Sequence, residues 1–307
     1  MSIAASYNTQ ILWLLGQPSL EDYLAVVRDK TIGGRDIAPA VLADEWRRAN
    51  DVYFDLEAAE AGVADTAECL PLPAEMEPLA VQLRADPYYR ETFDTLPTAL
   101  CMVELDKLIV SQKHVAKGFT DARAAMLGNA PDAAALFRFC QPLERSDPPV
   151  TIRRLASNRY LFSSPSTDLR AHEPKLLTAA QIARIDSFGP VAGALGLLVG
   201  FGSNFLTAIR SENRMVLHNG YHRAYTLRAL GITHAPCIVE TVTRTDELRV
   251  AASESVSDRP DFYFRAKRPP ILRDFFDPRL VRTLDMRPVE TMIEVEFKMK
   301  SWSSVEL

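Results

Sequence analysis

Apolar positions recur with a helical period over the first third of the chain and change to a strand-like rhythm near residue 98. Leu20, Tyr23, Leu24 and Val27 share one helical face. Ser19 is placed to cap the first turn, Asp22 sits at the reciprocal capping position, and Gly33 and Gly34 follow as a stop. Pro39 suits a first helical position, and Leu42, Trp46, Ala49, Tyr53 and Leu56 then recur at spacings of four and three as far as Gly62. This second stripe reads as core packing or as a face for self-association, so a homo-oligomer formed through the helical N-terminal region is an expected partnership. The proline-punctuated "CLPLPAEMEP" (69–78) breaks the pattern, and a short helix is expected near "LAVQLRADPYYRETF".

From residue 98 the signal is β-like. Leu100, Met102 and Leu105 lead into Leu108, Ile109 and Val110. Residues 128–190 are mixed, with strand candidates in "ALFRFCQPL" (135–143) and "VTIRRLASNRYLFSS" (150–164) and a helix through "TAAQIARIDSF" (178–188). The stretch "VAGALGLLVGFGSNFL" (191–206) is too short for a bilayer and reads as a buried, Gly-rich core segment. A strand at 205–210, a polar turn at 211–214 and a strand at 215–218 then lead through Asn219-Gly220 into a helix from about Tyr221 to Leu230. Ala224, Leu227 and Leu230 face inward on that helix, and Gly231 ends it. "THAP" (233–236) reads as a loop and "CIVETV" (237–242) as a short buried strand. After residue 243 come one short helix, a proline-rich basic loop and a final strand-like "MIEVEFKMK" (292–300). The predicted division is a helical region (1–97), a β-rich core (98–243) with a long insertion (about 128–190), and a C-terminal extension (244–307), an α+β protein.

Composition narrows the function. Hydrophobic residues make up 47% and charged residues 24%, as in ordinary globular chains. A net charge of -5 argues against specific DNA binding, which calls for a basic face. One local exception is "YFRAKRPPILRDFF" (263–276). Its Arg265, Lys267, Arg268 and Arg273 either grip phosphates or form a solvated surface loop pinned by Pro269 and Pro270. Cys69, Cys101, Cys140 and Cys237 lie far apart with no ligand spacing, which reads as separate buried thiols in a reducing, cytoplasmic setting. The start has no basic region ahead of its short apolar run, so neither a signal peptide nor a membrane association is expected.

The chemistry gathers at Asn219, Gly220, Tyr221, His222 and Arg223, where a strand hands over to a helix. The first N–H groups of a helix have no intrahelical partners and carry partial positive charge. Glycine admits an oxyanion to the backbone, and an arginine forks onto two oxygens. The residues therefore form either an anion site or a plain Asn-Gly turn followed by a solvated arginine. His218 and His222 flank the turn, but no third ligand completes a metal site.

The hairpin, the Gly-Tyr-His-Arg turn, the helix ending in "LRALG" and the strand "APCIV" resemble the core of the ParB/sulfiredoxin-like superfamily. In that superfamily this turn carries Gly-Cys-His-Arg in sulfiredoxins, a Gly-Glu-Arg-Arg-like run in ParB, and a related run in free-serine kinases. "LCMVELDKLIV" (100–110) resembles the strand that opens the ParB core. The resemblance covers about 98–243 and is specific only over 204–242. It implies a small mixed sheet with packed helices and a nucleotide triphosphate, with magnesium as its accompanying ion, held by Gly220, His222 and Arg223. Glu104 and Asp106 become the candidate general bases of a phosphotransferase or hydrolase. Lys175 and Thr178 resemble residues that support phosphates in sulfiredoxins, although Thr178 also suits a helix N-cap. The departures are equally specific. Tyr221 replaces the nucleophilic cysteine of sulfiredoxins, and no helix-turn-helix follows the core. The alternative to an enzyme is a non-catalytic module that senses a nucleotide or another phosphorylated small molecule.

Overall fold

The structure, a computed structural model, describes residues 10–17, 19–144, 148–166, 168–172, 174–182, 189, 191–202 and 204–303. It is α+β, and the chain divides into two compact units. One comprises residues 1–145 and 204–288, the other 146–203 and 289–307.

The first unit opens with β1 (Gln10–Leu14) and α1 (Leu20–Lys30). Ser19 caps α1 by accepting the Asp22 N–H at 3.2 Å, while the Asp22 carboxylate pairs with Lys113 rather than reaching back. Tyr23 and Val27 are buried as their spacing requires. Gly34 lies so close beneath α1 that a side chain on it would meet the Val27 carbonyl at 1.9 Å. Next comes α2 (Pro39–Glu60), which buries Leu42, Ala49 and Tyr53 along one stripe. After β2 (Cys69–Leu70) come α3 (Glu77–Ala85) and α4 (Pro87–Thr92), the latter capped by Asp86. Then follow β3 (Thr98–Glu104), β4 (Ile109–Val110), β5 (His114–Ala116), α5 (Lys117–Leu127) and α6 (Ala133–Cys140).

The chain leaves this unit for β6 (Thr151–Ala156), β7 (Arg159–Ser164), β8 (Leu169–Ala171), β9 (Lys175–Leu177), α7 (Ala179–Ile182), β10 (Ala194–Gly196) and β11 (Val199–Phe201). It returns with the hairpin β12 (Thr207–Ser211) and β13 (Arg214–Asn219), then α8 (Tyr221–Ala229) and β14 (His234–Val242). Short helices α9 (Thr245–Ala251), α10 (Glu254–Ser257) and α11 (Pro260–Phe264) precede β15 (Val281–Asp285). β16 (Thr291–Glu296) belongs to the second unit.

Six strands of the first unit form a mixed sheet in the order β2-β3-β14-β12-β13-β4, with β12–β14 and β13–β4 parallel. A second sheet, β15-β1-β5, is antiparallel. Tyr23, Leu42 and Tyr53 of the helical N-terminal region share one core with Val103, Leu217 and Leu227, so no unit boundary falls at residue 97. The second unit holds the antiparallel sheet β6-β7-β16 and the two-stranded pairs β8–β11 and β9–β10. Its segment starts at 146 rather than 128. Among the described residues no helix is long and apolar enough to cross a membrane.

Five sequence readings are corrected. Residues 133–140 form a helix, not a strand, because Asp132 accepts the Ala135 N–H at 2.7 Å and Phe137 and Cys140 bury one face. β14 begins at His234, so most of the expected "THAP" loop is strand. The Gly-rich stretch is buried only at its end: Val191, Leu195, Leu197 and Leu198 are 41–65% exposed, whereas Phe205 and Leu206 are buried. Arg268 of the basic loop is buried rather than solvated. Cys69 and Cys101 are not separate thiols but a disulfide, with Cα atoms 5.9 Å apart. They stand 32 residues apart in sequence and meet because β2 pairs with β3, which spacing along the chain does not report.

Candidate functional site

The β12–β13 hairpin turns at Glu212, whose φ is 53°, and buries Met215, Val216 and Leu217 along β13. At its end the Asn219 Oδ1 accepts the Gly220 N–H at 2.9 Å. Gly220 adopts φ 87°, and a Cβ there would lie 2.7 Å from Leu206 Cδ1 and 3.1 Å from Leu206 Cα. The glycine is thus required by both its backbone angle and its packing, with or without a ligand. α8 starts at Tyr221 with no side-chain cap, so its first N–H groups keep their hydrogen-bonding capacity.

Three turn residues have distinct environments. Tyr221 is a structural pin. Its hydroxyl donates to the Leu217 carbonyl, accepts the Ser111 N–H at 3.1 Å and meets the Ser111 hydroxyl at 2.9 Å. His222 stands edge-on to Phe119, with ring centroids 5.3 Å apart, and its buried Nε2 has no partner. Burial, with the nearby His114, Arg123 and Arg223, pushes its pKa down to about 3. Arg223 is 6% exposed; it donates to the Asn204 carbonyl, but its Nε is unpartnered. Burial and the neighbouring Arg123 lower its pKa to about 10.

Arg123, on α5, joins this patch. It packs over the Phe119 ring at 4.4 Å, and its buried Nε has no partner. Sequence reasoning missed it. The available signal was Phe119 and Arg123 one turn apart on a helix, which by itself says nothing of α8. Gln141 and Thr207 contribute further unmet groups. The Gln141 amide donates to the Leu206 and Pro236 carbonyls at 3.0 Å each, which leaves its Oε1 unpartnered. Thr207, opposite Asn219 in the hairpin, is buried with its Oγ1 unpartnered.

Buried polar atoms in native proteins are nearly always partnered. Among the described residues, most of those without a hydrogen bond lie on segments that meet at the start of α8: Arg123, Gln141, Thr207, His222 and Arg223. Among those residues no carboxylate pairs with Arg123, His222 or Arg223. Cys140 lies near Arg223, but burial pushes its thiol up to about 12, so it brings no negative charge at neutral pH.

The other expected site residues lie elsewhere. Glu104 ends β3 and is ion-paired with Lys107 at 3.0 Å. Asp106 binds Arg228 at 2.5 Å in the last turn of α8, five residues beyond Arg223 and so about 7.5 Å along the axis. Lys175 and Thr178 belong to the second unit. There Thr178 caps α7, its N–H donating to Gln181 Oε1 at 2.8 Å and its carbonyl accepting the Gln181 and Ile182 N–H groups. His218 is exposed, and among the described residues no group of three or more His, Cys, Asp or Glu is arranged to hold a metal. The structure therefore adds Arg123 to Gly220, His222 and Arg223 and assigns Asp106 to the opposite end of the helix. No protein-family model matches this chain, and the comparisons with curated proteins and with solved structures found no match.

Proposed function

We propose that the protein binds the phosphate groups of a small ligand, a nucleotide in the first instance, at the start of α8, as a binding module with a ParB/sulfiredoxin-like core. One observation carries this reading: Arg123, His222 and Arg223 bring buried, unpartnered nitrogens near one another, with no opposing carboxylate among the described residues. A buried charge left unpaired is costly, and a dianion relieves that cost. Arg223 and Arg123 offer guanidinium N–H donors, and the uncapped first turn of α8 offers backbone N–H groups. The hairpin, left-handed glycine, helix and parallel strand β14 follow the order expected from the resemblance. Binding without catalysis is the better-supported form, because Glu104 and Asp106 are engaged by Lys107 and Arg228.

The test is a thermal-shift screen with ATP, CTP, GTP and their diphosphates, each with and without magnesium, followed by calorimetry. A nucleotide should raise the melting temperature of the wild type, and Arg223→Met should reduce that rise. Gly220→Val is a poor probe, since Gly220 is required by the fold itself. Failure of every nucleotide and of inorganic phosphate to bind the folded protein would remove the proposal.

A further inference from the structure

We infer that the anion at the start of α8 is bound together with one proton, which settles on His222 Nε2. This rests on the site proposed above and defines its ligand as a doubly charged tetrahedral oxyanion, such as the end of a phosphate ester.

The geometry around the ring carries the argument. Nε2 is buried and unpartnered, and the ring is fixed edge-on by Phe119. Positive or neutral groups surround it. β5 brings His114, α5 brings Arg123, and α8 itself brings Arg223. The acids on the packed elements are already engaged. Asp121 of α5 is paired with Lys117 at 2.8 Å, Asp106 with Arg228 at 2.5 Å, and Asp274 with Arg268 at 2.5 Å. Glu60 binds Arg273 at 2.6 Å, and the Cys140 thiol of α6 stays protonated.

Without a ligand, a second ring proton, placed on Nε2, has neither an acceptor nor a counter-charge, and burial with two arginines nearby keeps the ring neutral at pH 7. A dianion reverses the sign of that field. Nε2 then gains an oxygen acceptor and becomes the donor of a charge-assisted hydrogen bond. The proton comes from solvent, and no bond in the ligand is made or broken. A ligand bound with one proton has an affinity that falls about tenfold per pH unit over the range where the free ring is neutral and the bound ring charged.

Sodium sulfate is the probe, because it carries two charges throughout this range and adds no titration of its own. Calorimetry on the full chain near pH 7, in buffers of different ionisation enthalpy, counts protons taken up. About one proton per sulfate is expected for the wild type, and close to none for His222→Gln. The His222 ring signal in proton NMR gives a second readout that needs no variant. It should stay at the neutral position without sulfate and move to the imidazolium position at saturation. Sulfate binding without proton uptake, or uptake that persists in His222→Gln, would overturn this inference and leave the anion site standing. If neither sulfate, phosphate nor any nucleotide binds, the site and the inference fall together.

Discussion

Two buried arginine clusters in the first unit show what burial does to the same side chain in opposite company. The Arg268 side chain is 1% exposed and fully engaged. It forks onto Asp274 at 2.5 and 2.6 Å and reaches Glu60 at 3.1 Å. Asp274 in turn accepts the Ile271 N–H at 2.9 Å and the Tyr53 hydroxyl at 3.2 Å. Burial by itself lowers the Arg268 guanidinium, but its carboxylates carry it above its ordinary value. Arg223 is buried to a similar degree with no carboxylate partner among the described residues, and its pKa falls. The first cluster closes on itself and serves stability. The second is left open in charge, which is the condition a ligand site needs.

The largest test of this contrast is Asp274→Ala. It leaves Arg268 buried without its fork and should cost about 3–5 kcal/mol in urea unfolding. A cost under about 1 kcal/mol would erase the distinction between the clusters.

Acid should act on the open cluster next. His222 takes up its second, charging proton in the folded protein only as pH falls to about 3, whereas its ordinary value is 6.5. The unfolded chain therefore holds more protons between those values. Stability is fully present above pH 6.5 and is lost as pH falls toward 3, by up to a few kcal/mol. Unfolding curves of the unliganded wild type and His222→Gln should converge in slope only above that window.

Arg223→Met should separate stability from binding. The unliganded protein should change by less than about 1 kcal/mol, since no ion pair is lost, while nucleotide affinity falls by about 1.5–3 kcal/mol. The matching change Arg268→Met should destabilise instead. Equal destabilisation by both would contradict the asymmetry.

Tyr221→Phe is expected to be smaller, about 1–2 kcal/mol of stability, because a buried hydroxyl holding Ser111 and Leu217 is removed. The sequence offered no use for this hydroxyl, and the structure supplies one. Smallest of all, Arg265→Ala and Lys267→Ala should stay within about 0.5 kcal/mol. Both side chains are at least 75% exposed, and their pairs with Asp261 and Glu57 are solvated.

Local rules made some of this legible in advance. The cap at Ser19, the stripe of Leu42, Ala49 and Tyr53, the hairpin and the glycine turn into α8 all depend on residues within a turn or two of one another. The strand expected at 135–143 fails for the same reason in reverse, since 133–140 are helix. Alternating side chains over a short window resemble a strand, and the deciding fact was one cap at Asp132. The candidate site was half legible. Gly220, His222 and Arg223 stood out by position, whereas Arg123 is a hundred residues away in sequence and reaches them only because α5 packs on α8.

The sequence by itself determined the backbone path at the candidate site: a strand ending at Asn219, a glycine free to take positive φ, and a helix whose first turn presents His222 and Arg223. Only the tertiary structure decided the electrostatics. It gave Arg268 its carboxylates across the fold, joined Cys69 to Cys101 through strand pairing, and left Arg123, His222 and Arg223 without a counter-charge among the described residues. Backbone angles and periodicity are set by near neighbours along the chain, while a buried charge is balanced or unbalanced by whichever residues folding brings within a few ångströms of it.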